Sequence, residues 1–126
     1  MLAHLVVNII HGTAHRKLHV ELGPAAMLFM IGVILLCPLI AMVLLWASQK
    51  RLGLVLLALS MAASLVFDLY NHFVVMGPDN VGEQAPGPGG TAFVLTAYLL
   101  SLTEAIGTYM GLYFLYRRIR TSKAAG

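Results

Sequence analysis

The chain has 126 residues, of which 60% are hydrophobic and only 10% charged, against about 25% charged in an ordinary soluble domain. That balance excludes a water-soluble globule, and the length leaves room for three or four membrane crossings of about 20 residues each but for no further domain. The net charge of +3 does not point to nucleic acid. Six basic residues cluster at the ends of apolar runs, as Lys50-Arg51 and Arg117-Arg118-Arg120-Lys123, with no aromatics interleaved.

The first element is expected over residues 2–22. Its opening, MLAHLVVNIIHGTAH, lacks a basic leader and carries polar residues throughout, so no cleaved signal peptide is expected. At 100° per residue, His4, Asn8, His11, His15 and His19 share a stripe roughly 80° wide, set among Leu2, Leu5, Val6, Val7, Ile9 and Ile10. Such a stripe has to be buried against protein rather than lipid, which predicts a span packed on its neighbours. Arg16 and Lys17 near its outer end keep open an alternative, three spans plus an N-terminal helix lying in the membrane interface.

Gly23-Pro24 opens the second element, over 24–48, a run of about 25 residues without a charge that is long enough to cross roughly 30 Å of hydrocarbon. Pro38 is predicted to kink it, and Trp46 precedes Lys50-Arg51 in the order typical of a membrane interface. The lone Cys37 can form no intrachain disulfide. The third element is expected over 52–76, apolar apart from Ser60, Ser64, Asp68, Asn71 and His72, and stopped by Gly77-Pro78. Residues 78–90, PDNVGEQAPGPGG, read as an outward loop in which Asp79 makes an Asx turn or lines a mouth. The fourth element is expected over 91–117. Its Gly107 and Gly111 give a small-xxx-small face through which a second copy or a larger membrane complex could dock.

The expected fold is therefore an all-α integral membrane protein, a four-helix transmembrane bundle forming one domain over residues 1–126. The basic clusters place the C-terminus in the cytoplasm, and the expected location is a cytoplasmic membrane of prokaryotic type.

Ionisable groups inside a membrane cost about 2.5–3.5 kcal/mol each on insertion scales, so they face a bundle interior and mark function. Counting helix rise from the outer ends places Glu104, His11, Asp68, His15 and His72 in one layer roughly 12 Å thick. Paired His at i, i+4, an Asp and a His at i, i+4, and a lone carboxylate make a donor set suited to zinc, iron or manganese. The expectation is a buried metal site of His11, His15, Asp68, His72 and Glu104, in a metalloenzyme acting on a lipid-soluble substrate, with Glu104 as its catalytic proton carrier. Copper held through the thioethers of Met27 and Met30 is a weaker reading than core filling. The competing functions are a haem-b electron carrier ligated by His15 and His72, and an accessory subunit whose polar layer only holds its helices together.

Overall fold

The computed structural model describes residues 1–124, with side chains as far as residue 121. Lys123, counted above in the C-terminal basic cluster, lies outside the residues whose side chains are described. Four helices follow in order: α1 (Leu2–Lys17), α2 (Pro24–Trp46), α3 (Lys50–Val74) and α4 (Pro88–Ala124). A single 3₁₀ turn, Val81–Glu83, interrupts the loop between α3 and α4, and there is no strand among the described residues. Three helices, α2, α3 and α4, are long and apolar enough to cross a membrane. The 16 residues of α1 span about 24 Å at 1.5 Å per residue, short of a full hydrocarbon thickness.

The first helix ends five residues before the expected position 22, for a local reason. His19 adopts the left-handed conformation, with φ 54°. The Val20 N–H then donates to the His15 carbonyl at 3.0 Å and the His19 N–H to that of Arg16 at 3.3 Å. This is the Schellman arrangement that terminates helices. It removes His19 from the histidine stripe and leaves it exposed. Ser48 ends α2 in the same way, with φ 67° and the Gln49 N–H on the Leu44 carbonyl at 2.9 Å. Left-handed conformations usually fall to Gly, so neither stop was written in the local composition.

Pro38 acts on α2 as its chemistry requires. Lacking an N–H, it leaves the Ile34 carbonyl without its helical partner, and over Met30–Leu36 the helix widens into π geometry. The His4 ring packs there, its Nε2 3.4 Å from the Ile34 carbonyl and 3.0 Å from Asn8 Nδ2. The helix α4 starts at Pro88, inside the expected loop 78–90, with proline at a position where its missing N–H costs nothing. It continues past residue 117, well beyond the expected end.

Packing runs as an open row, α2 on α3, α3 on α4 and α4 on α1. The α3–α4 seam is the tight one. A Cβ placed on Gly107 would stand 2.6 Å from the Met61 side chain, and one on Gly111 would stand 3.0 Å from the Ala58 backbone. The small-residue face is therefore consumed inside the chain. The α1–α2 seam makes no extended contact and opens into two grooves, of about 810 and 230 Å³. Across the row α1 turns its polar stripe inward, burying His4, His11, Ala14 and His15 while Leu2, Val6, Ile9 and Ile10 face out.

Candidate metal centre

One end each of α1, α3 and α4 converges on the loop in which the sequence pattern expects Asp79 to make an Asx turn or to line a mouth. The last turn of α3, Tyr70–Val74, is π-helical, closed by the Val75 N–H on the Tyr70 carbonyl at 2.9 Å. The wider turn carries His72, and π segments of this kind recur at functional sites. The chain then reverses through Gly77-Pro78. Buried Asn80 staples the reversal, donating from Nδ2 to the Val75 carbonyl at 2.9 Å and accepting at Oδ1 from the Gly82 N–H at 2.8 Å. That staple holds Asp79 over the end of α3.

Around Asp79 the histidines close in. The His72 Nδ1–H donates to the Asp79 backbone carbonyl at 2.8 Å. The Asp79 carboxylate oxygen Oδ1 lies 3.2 Å from His15 Nε2 and 3.5 Å from His72 Nδ1. The third ring, His11, is tied from α4. Thr96 gives its own hydroxyl proton to the Ala92 carbonyl at 2.6 Å, so at 2.8 Å it accepts from His11 Nδ1–H. Phe93, fully buried, forms a floor beneath all three rings, with centroids 4.7, 4.9 and 5.5 Å from those of His11, His15 and His72.

Those contacts decide the tautomers. With Nδ1–H committed on both His11 and His72, each keeps its lone pair on Nε2, the form in which imidazole binds a metal. His11 Nε2 stands 3.1 Å from His15 Nε2, while His15 Nδ1 is buried without a partner. One ligand atom from each of His11, His15 and His72 falls within 4.8 Å of the others, and all three residues are buried. Nitrogen ligands on tetrahedral zinc, at about 2.0–2.1 Å from the ion, sit roughly 3.4 Å apart. Small side-chain adjustments separate the two geometries, so this set could hold a metal ion.

Of the five expected ligands, the structure gathers His11, His15 and His72 and sets Asp68 and Glu104 one layer deeper, as neighbours of each other. The reason lies in the helix ends. Glu104 is 16 residues from the start of α4 at Pro88, about 24 Å of rise, whereas His15 and His72 stand within a turn of the C-terminal ends of their helices. Both carboxylic residues are buried, and Asp68 Oδ2 and both Glu104 oxygens have no hydrogen-bond partner. Met27 and Met30 line the larger groove beside His11 and His15.

Two neighbours of the cluster, Thr96 and Phe93, escaped the sequence pattern, and Asp79 is expected there only as an Asx turn or the lining of a mouth. Asp79 had one usable signal, a carboxylate seven residues past His72 across a Gly-Pro reversal, close enough to fold back onto it. Thr96 and Phe93 carry no signal of their own, because which face of α4 meets α1 is a tertiary fact. Compared with protein-family models, curated proteins and solved structures, the chain matches none of them. Function has to be read from its own side chains.

Proposed function

We propose that this chain is an integral membrane metalloprotein, a four-helix bundle in which α1 completes the three long helices and a divalent transition metal sits among His11, His15 and His72. The observation that carries this reading is the gathering of three buried imidazoles, His11, His15 and His72, with one ligand atom of each within 4.8 Å of the others. An interhelical packing network has no need of three imidazoles brought together above an aromatic floor. Asp79 is placed as fourth ligand or as the partner that orients His15. Three nitrogens and one oxygen suit zinc, with iron and manganese next.

The inside-out character of α1 supports its immersion in lipid, since apolar Leu2, Val6, Ile9 and Ile10 face outward while its histidines face protein. In that orientation Lys50, Arg51 and the arginines of the C-terminal cluster share the cytoplasmic side, and the metal lies in the outer half of the bundle. A haem between His15 and His72 fits less well, because Asp79 Oδ1 stands close to both of those rings and His11 packs against them. If a ligand position stays open on the metal, bound water gains acidity there. Glu104, beside Asp68, is the group placed to hold a proton behind it.

Cobalt titration tests the site directly. In detergent-solubilised protein, Co²⁺ is expected to give the visible absorption of a four-coordinate nitrogen-rich site, lost in His72→Ala and in His11→Ala. A spectrum of free aqueous cobalt in the unaltered protein overturns the proposal.

A further inference from the structure

The larger groove, between α1 and α2, is on one side bounded by the metal cluster itself. Its walls include His11 and His15 together with Ile9, Gly12 and Arg16 of α1, Glu21 of the following loop, and Met27 and Met30 of α2. Its volume, about 810 Å³, falls in the range of sites that hold a small molecule, roughly 300–1,000 Å³. The two helices flanking it present apolar Ile9, Met27, Leu28 and Ile31 to the surroundings. In the membrane reading the groove thus opens sideways into lipid.

Two independent features say what fits it. Gly12 stands in the interior of α1, where glycine weakens a helix relative to alanine, yet a Cβ at that position would meet nothing within 4 Å. No neighbour in the chain requires the gap. Space is kept on the groove side that the protein does not fill. The rim carries a cation and an anion, Arg16 and Glu21, both exposed. Neither forms an ion pair among the described residues, where the bridges run from Asp79 to His15 and His72. An apolar slot with one free positive and one free negative group at its outer end complements an amphiphile of matching pattern, an acyl chain ending in a phosphate and an ammonium.

We propose that the α1–α2 groove binds one acyl chain of a zwitterionic, ethanolamine-type phospholipid, its phosphate at Arg16 and its ammonium at Glu21, so that the bound chain lies alongside His11 and His15. The proposal rests on the membrane reading above and names the class of molecule that reaches the metal cluster. It predicts lateral access, between helices, with no opening through the bundle.

Native mass spectrometry of the full chain in non-ionic detergent, with lysophosphatidylethanolamine added as the probe, tests it. The unaltered protein is expected to carry one lipid per chain. Gly12→Phe, which fills the groove from α1, should weaken that binding by roughly tenfold or more, and Met30→Trp should do the same from the α2 wall. Arg16→Gln should weaken it several-fold. Binding left intact by both filling variants overturns the proposal, as does equal affinity for a monoacylglycerol of the same chain length, which has no phosphate or ammonium. Metal content measured on the same samples keeps the two readings apart. Lipid binding lost with metal retained speaks to the groove, and metal absent with lipid retained speaks only to the cluster.

Discussion

Glycine does opposite work on the two seams of this bundle. Between α3 and α4, Gly107 and Gly111 let the helices approach until a methyl group at either position would meet Met61 or the Ala58 backbone. Between α1 and α2, Gly12 faces open space, and the helices diverge around a groove. The first seam is a packed wall that fixes α3, and with it His72, against α4. The second leaves α1 beside α2 with the His4 ring next to the Ile34 carbonyl that Pro38 exposes. The same residue type is structural in one place and makes room in the other, and only the neighbour across the seam tells them apart.

The contrast can be broken in a graded series. Gly111→Leu forces a branched side chain into the Ala58 backbone and should destabilise the fold by about 3 kcal/mol or prevent it, read as loss of the monodisperse protein peak and a lowered unfolding midpoint in detergent. Asp79→Asn keeps the shape of the staple but removes the carboxylate facing His15 and His72. It should lower metal affinity by about 10–100-fold, as loss of an orienting carboxylate does, measured by competition with a chromophoric chelator. Gly12→Ala should raise stability by up to about 1 kcal/mol, because alanine is the better helix former and its methyl meets nothing. A destabilised Gly12→Ala protein would show that α1 and α2 close on each other more tightly than the open seam allows. Smallest of all, Glu104→Gln should leave metal content unchanged, since Glu104 belongs to the deeper carboxyl pair rather than to the three imidazoles.

Acid should weaken metal binding at the imidazoles. Imidazole must be neutral to bind a metal, so protons compete with the ion. Affinity should fall as pH drops below neutral and recover on return to neutral. Equilibrium dialysis across that range checks the sign, and affinity that rises on acidification would exclude imidazole ligands.

Much of this arrangement is legible in residue order. Long uncharged runs mark α2 and α3 within two residues of their observed ends, because hydropathy and Gly-Pro stops are local properties. The inward stripe of α1 is legible too, since His4, His11 and His15 recur at helical spacing. What sequence order conceals is set by contacts between distant segments. His19 and Ser48 end their helices in a conformation that their own side chains do not favour, held by hydrogen bonds back to the preceding turn. Thr96 fixes the His11 tautomer only because α4 turns that face to α1. Starting α4 at Pro88 rather than at residue 91 puts Glu104 further from the start of its helix, and the five-residue layer expected from helix rise divides into three imidazoles and a separate pair of carboxyls.

The central claim is that the three imidazoles hold a metal. The elemental content and absorption spectrum of protein purified without a histidine tag test it most directly. The account predicts about one divalent transition-metal ion per chain, falling close to zero in His15→Ala and retained in Asp68→Asn, with no Soret band. Metal well below one ion per chain, metal that survives His15→Ala, or a haem spectrum would contradict it.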